Sequence, residues 1–373
     1  MHRILSCLVG ALLIIPVSCS QVNDEIYLFV GTYAKDTESG IYLYRFNTMD
    51  GSASLVKEVP GIENPSYLAV SDDEKFLYSV SETDGPKAGV SVYSFDKKTA
   101  DISLIDNKLT KGGAPCFVWT DKKQKVVVTA NYMGGSISAF SLSETGRLGE
   151  LSLFSFEGGT PGSRRQDSPH LHCIFTSPNE KYLYANDLGT DRIYKFDIAY
   201  DARGDVILKE GQPAYFSLTA GEGPRHTTFH RNGKFAYQIS ELSGNVVVMQ
   251  YDNGNLTPVQ YIEADTLHAG GSADIHITPD GRFLYASNRN RGDGLAIFSI
   301  DSRSGLLTKV GYQPTGSHPR NFIITPDGKY LLCACRNSQV IMVFEIDKQS
   351  GLLKNIDKDI KMKGPVCLKF ASI

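Results

Sequence analysis

Long helical periodicity is scarce in this chain of 373 residues, and so is an excess of charge of either sign. A net charge of -3 offers no basic surplus for phosphate backbones, so nucleic acid is not an expected partner. Cysteine is present but builds no framework. Of the seven, Cys7 and Cys19 fall near the N-terminus, and Cys116, Cys173, Cys333, Cys335 and Cys367 are an odd, scattered set. Cys333 and Cys335 share a face of a strand and lack zinc spacing, so buried free thiols are expected. Carboxylates do not cluster at ligand spacing either, and neither a metal nor a cofactor is called for. What remains is 35 Gly and 19 Tyr, a composition suited to many short strands joined by tight turns. The expected class is all-β.

The first residues differ from the rest. Met1-His2-Arg3 is a short basic start, and Ile4 to Ile15 is an unbroken apolar run too short to span a bilayer comfortably. Pro16 ends any helix before the small residues Val17 and Ser18. Residues 1–19 therefore read as a secretory signal, and residues 20–373 as the mature domain. Ser18-Cys19-Ser20 could be a lipoprotein attachment site, although Pro16 stands where Leu is usual. A lipid-anchored form and a freely exported, periplasmic form both stay open, and a lipid on Cys19 would be the one link to a membrane.

One cassette recurs at a spacing of roughly fifty residues. It reads Asp73-Glu74-Lys75-Phe76-Leu77-Tyr78, Asn179-Glu180-Lys181-Tyr182-Leu183-Tyr184, Asn232-Gly233-Lys234-Phe235-Ala236-Tyr237, Asp280-Gly281-Arg282-Phe283-Leu284-Tyr285 and Asp327-Gly328-Lys329-Tyr330-Leu331-Leu332, with a weaker copy at Lys123-Gln124-Lys125-Val126-Val127-Val128. Each is a polar turn, tolerant of positive φ, that feeds an aromatic and aliphatic strand. A seventh unit is split between the ends, with Tyr27 to Tyr33 resembling its second strand and Gly364 to Phe370 its first. Third and fourth strands follow each cassette. The pattern predicts a seven-bladed β-propeller of four antiparallel strands per blade, closed by a blade built from both termini. A monomer is expected.

The register locates a site. With the residue before the Lys or Arg of each turn as centre, positions eight before and eight after should face each other at one mouth of the channel, to within a residue. Eight before gives Ser66, Cys116, His172, Arg225, Ala273, Arg320 and Val366; eight after gives Glu82, Tyr132, Leu188, Glu241, Arg289, Arg336 and, by alignment, Tyr33. Exposed strand ends are often charged, so one such residue means little. Four arginines, one or two histidines and two glutamates on one concave rim point to a ligand. Arg225 and Glu241 should be cross-strand neighbours, which would keep the carboxylate ionised and aimed.

Five linked segments resemble the lactonase family of seven-bladed propellers, which includes bacterial 6-phosphogluconolactonase and the fungal carboxymuconate cyclase. They are Ser168-Pro169-His170-Leu171-His172, Gly221-Glu222-Gly223-Pro224-Arg225-His226, Ser240-Glu241-Leu242, Ser287-Asn288-Arg289 and His318-Pro319-Arg320-Asn321-Phe322. The resemblance implies a catalytic centre of Glu241, Arg225, His172, His170 and Arg289. The expected activity is hydrolysis of a sugar-derived, anionic lactone by general-base-activated water, placing the protein in carbohydrate metabolism. Glu241 would be the base, Arg225 and Arg289 the oxyanion donors, and His172, or His170 if the strand is bulged, the proton donor. Arg320 and Arg336 would hold an anionic group, with Glu82, Tyr132 and His226 also binding substrate. Ser240 stands where Asn is expected, and export separates the chain from a cytoplasmic phosphogluconolactone. A muconate-type cycloisomerase and a non-catalytic ligand-binding propeller are the alternatives; substrate turnover separates the first, and retention of Glu241 beside two arginines speaks against the second.

Overall fold

The computed structural model describes residues 24–33, 39–202 and 204–373. The expected signal, residues 1–19 with Cys19, lies outside the described residues. The described chain forms seven antiparallel sheets arranged as blades. Their innermost strands are Leu68–Val70, Pro115–Thr120, Leu171–Thr176, Pro224–Phe229, Ser272–Ile277, Pro319–Ile324 and Pro365–Ser372, defining blades 1 to 7. Each contacts the next around a closed ring. Blade 7 is the split one: Pro365–Ser372 pairs with Glu25–Thr32, with Ile26 opposite Ser372 and Gly31 opposite Cys367. Gly40–Asn47 and Ala53–Pro60 complete it. Blade 6 adds a short fifth piece, Ile360–Lys361, to the expected four.

Local chemistry explains the repeat. At the cassette turns the serine or threonine before the Asp or Asn donates to its side chain: Ser71 to Asp73, Ser177 to Asn179, Thr278 to Asp280 and Thr325 to Asp327, at 2.6 to 2.8 Å. The following position needs positive φ. Gly233, Gly281 and Gly328 supply it without strain, while Glu74, Gln124 and Glu180 occupy the same region as ordinary residues. The last tyrosine of the cassette then reaches across the seam between blades. Tyr184, Tyr237 and Tyr285 donate to the carbonyls of Gly254, Gly305 and Gly351 in the next blade's outer turn, at 2.8 to 3.0 Å. Tyr27 does the same across the closing seam, to the Lys97 carbonyl at 2.9 Å. All five described cysteines are buried and free.

A one-residue irregularity shapes the mouth. In blades 2, 3, 4, 6 and 7 the ladder between the first two strands skips Cys116, His172, Arg225, Arg320 and Val366; in blade 5, Ala273 and Asp274 together oppose Ser287. These bulges fall on the positions counted eight before each turn. A bulge turns the extra side chain away from the sheet normal. The residues before Pro65 and before the four strand-starting prolines, Asn64, Ala114, Gly223, His318 and Gly364, all have positive φ. Three of those five are not glycine, and such strain concentrates at functional sites.

Candidate active site

Glu241 is the centre of the mouth. It follows Phe235–Ser240, the second strand of blade 4, and it is almost wholly buried. Arg225 Nε donates to Glu241 Oε2 at 2.8 Å, Arg165 Nη2 to Oε1 at 2.7 Å, and Arg289 Nη2 lies 3.3 Å from Oε1. Burial alone would raise the carboxyl's pKa, but Arg289, Arg225 and Arg165 outweigh it and hold it down at about 2. Glu241 is therefore ionised at any working pH. Burial pushes Arg289 down to about 9, a fall that Glu241 opposes.

Two of these arginines are built in. Arg225 is the largest fully buried side chain of the described residues. Its Nη1 donates to the Ala273 carbonyl at 2.5 Å and meets His226 Nε2 at 3.2 Å. Arg289 Nε donates to the Gly271 carbonyl at 2.7 Å. Neither Arg225 Nη2 nor Arg289 Nη1 has a hydrogen bond among the described residues, so each guanidinium keeps donors for a ligand. Arg165 is different: its side chain is 40% exposed, and its other partner is Tyr132 Oη at 3.3 Å.

The histidines fall into separate roles. His170 stacks on Tyr132, ring centroids 4.4 Å apart, and its Nδ1 lies 3.0 Å from the Tyr132 carbonyl. That carbonyl can only accept, so Nδ1 carries a proton and Nε2 is the free face, with the Asp167 carboxylate 3.7 Å away. Asp187 accepts from the His170 backbone N–H at 2.6 Å and fixes the segment. His172 sits edge-on to Tyr132 and His226, and its buried Nδ1 has no partner among the described residues. Burial first, then the charge of Arg225, keep His172 well below the usual imidazole range. It is neutral, which does not suit the expected proton donor; it can offer a neutral N–H. His226 faces inward instead of meeting substrate: Nδ1 lies 2.7 Å from Asp274 and Nε2 faces Arg225. Asp274 also takes the Phe322 amide at 3.2 Å, the Asn321 side chain, and His276 Nε2 at 3.0 Å.

The rim opposite holds Arg320, Arg336, Glu82 and Tyr33. Arg320 is 3.6 Å from Glu82, and both guanidiniums lie over the Tyr33 ring. His318 Nε2 and Glu82 Oε2 are buried without a hydrogen-bond partner among the described residues. Burial, then Arg289, Arg320 and Arg336, push His318 down to about 3, so it meets this cluster as a neutral acceptor.

The structure thus gathers the expected residues at one mouth, with His226 turned inward beneath it and Tyr33 where the register count put it, and it adds Arg165, Asp274 and His318. Arg165 lies in a Gly- and Ser-rich connection outside the repeat, where strand counting cannot reach. The positive φ at His318 has no sequence signal, although its place in the His-Pro-Arg run was legible.

A closed seven-bladed propeller whose mouth gathers five guanidiniums around Glu241 and Glu82 has the make-up of a small-molecule site. A family model described as Lactonase, 7-bladed beta-propeller, matches residues 27–370, and the chain belongs to that family. A 6-phosphogluconolactonase of Formosa agariphila is 38% identical, with 92% of this chain and 98% of that protein covered. A solved structure from Bacteroides fragilis is 47% identical at a TM-score of 0.91, covering 95% of this chain and 99% of that one. The periplasmic gluconolactonase of Pseudomonas aeruginosa is 30% identical at a TM-score of 0.87, covering 94% and 99%.

Proposed function

We propose that this protein hydrolyses a sugar-derived lactone that carries an anionic group, as the names of its 6-phosphogluconolactonase and gluconolactonase relatives suggest. The observation behind the reading is Glu241 held between buried arginines that still have donors to spare. Glu241 takes a proton from water as the water oxygen bonds to the lactone carbonyl carbon. Charge then develops on the carbonyl oxygen, where Arg225 and Arg289 stabilise it; one good donor of this kind is worth roughly 3 to 4 kcal/mol. The carbonyl reforms, the ring C–O bond breaks, and the proton that Glu241 took from water passes to the leaving oxygen. A hydroxy acid results. His172 supplies a neutral N–H beside the same centre.

Five guanidiniums against Glu241 and Glu82, with Asp274 beneath them and Asp167 at the edge, leave the mouth net positive, which favours an anionic substrate. Arg320 and Arg336 are placed to fork onto a phosphate or carboxylate. We further propose that the protein acts after export, supported by the basic start and the apolar run of Ile4 to Ile15; intact mass of the exported form checks this, and a chain retaining Met1 in the cytoplasm contradicts it. The functional test is acid release above the spontaneous rate from 6-phosphogluconolactone, glucono-1,5-lactone and their relatives. Hydrolysis with a clear preference for the anionic lactone is expected. Isomerisation without acid release would place the protein with the muconate branch, and binding of sugar acids without turnover would make it a ligand-binding propeller.

A further inference from the structure

Three guanidiniums hold Glu241, and they are not equivalent. Arg225 is fixed by the Ala273 carbonyl and His226, and Arg289 by the Gly271 carbonyl. Arg165 comes from the connection between blades 2 and 3, is the most exposed of the three, and leans otherwise only on the Tyr132 hydroxyl. Its backbone is nevertheless anchored. Gln166 beside it is buried and donates to the Leu188 carbonyl at 2.9 Å, and the Gln166 carbonyl accepts from the Thr160 amide. The side chain can move while the loop stays.

The atom it holds matters. Arg165 and Arg289 both address Oε1, and Arg225 addresses Oε2. A carboxylate oxygen with both lone-pair directions taken by cations, as Oε1 is by Arg165 and Arg289, is ionised but a poor proton acceptor. The groups facing Glu241 are Arg225 from blade 4, Arg289 from blade 5, Arg165 from the blade 2 to 3 connection, and, at longer range, Arg320 from blade 6 and Tyr132 from blade 2. Of the cations, only Arg165 is free to leave.

We propose that Arg165 is a substrate-responsive cation: it pairs with Glu241 in the empty site and swings onto the anionic group of the arriving lactone, releasing Oε1 to accept the proton of water. This rests on the lactonase reading above. It makes the anionic group of the substrate a condition for a competent base, so selection for charged lactones appears in turnover as well as in binding. No covalent bond changes in the swing.

The test uses Arg165→Ala and Arg165→Lys in the full protein. Calorimetry measures binding of 6-phosphogluconate and of gluconate at neutral pH. Losing one charge-assisted hydrogen bond should weaken 6-phosphogluconate roughly tenfold to a hundredfold in the Ala variant, with partial recovery in the Lys variant. Gluconate, whose carboxylate forms at the reacting carbon, should change by about twofold or less. In kinetics, glucono-1,5-lactone cannot draw Arg165 away, so its kcat should rise in Arg165→Ala. The acid limb of its kcat/KM should also move to higher pH, because a carboxylate with one cation fewer holds its proton more tightly. Equal weakening of both acids, or no weakening of either, would overturn the proposal. If the wild type hydrolyses neither lactone the lactonase reading fails, and the difference between the two binding experiments still decides whether Arg165 answers to the anionic group.

Discussion

Arg225 shows how costly a functional residue can be to hold. Burying a guanidinium is tolerated when most of its donors are met, and here Glu241, the Ala273 carbonyl and His226 meet those on Nε and Nη1. The last contact needs a lone pair on His226 Nε2, so the proton must sit on Nδ1, where Asp274 accepts it. Asp274 is in turn crowded by donors from Phe322, Asn321 and His276. Asp274→Asn would aim an amide N–H₂ at some of those donors. We expect it to lower stability by about 3 kcal/mol, the scale of breaking a buried charged network, read as a lower denaturant midpoint at unchanged slope. An unchanged midpoint would show that Asp274 does not hold the network. Counting along strands found Arg225, Glu241 and Arg289 because cassette spacing fixes which positions reach the rim. It chose Ala273 where the chemistry lies on Asp274, since a bulge places two residues opposite one and no sequence count can split them.

Among elements, the tyrosine that ends the cassette has a role that hydrophobic patterning hides. Tyr184, Tyr237 and Tyr285 are fully buried core residues by pattern, yet each hydroxyl satisfies a carbonyl of the following blade. The repeat therefore encodes the seam between blades as well as the strand. Tyr237→Phe removes the donor and leaves the Gly305 carbonyl without it; a loss of about 1 to 3 kcal/mol is expected by chemical denaturation. A neutral result would mean that the seam is held by packing alone. The turns were legible for a simple reason, since Asp-Gly and Asn-Gly announce positive φ. The left-handed residues before the strand-starting prolines were not, because alanine and histidine give no hint of such a conformation.

At the scale of the whole molecule, closure gives the ring one mouth with a concentrated field, and that field makes the fold sensitive to acid. His172 and His226 are buried with pKa values lowered, His226 to about 4 against an ordinary 6.5, first by burial and then by Arg225. The unfolded chain binds these protons as pH falls through about 6.5 while the folded protein does not, so stability is greatest above that pH and declines below it. His226 alone implies a loss of about 3 kcal/mol between pH 6.5 and 4. Denaturant midpoints across that range check this; a flat profile would mean that the mouth accommodates protonated imidazoles. The account's central claim is that Glu241 is the base of a lactone hydrolase, and Glu241→Gln tests it most directly. Measured by acid release from the lactone the wild type prefers, the account predicts a loss of roughly a hundredfold to ten-thousandfold in kcat. Full activity in Glu241→Gln, with the fold intact, would contradict it.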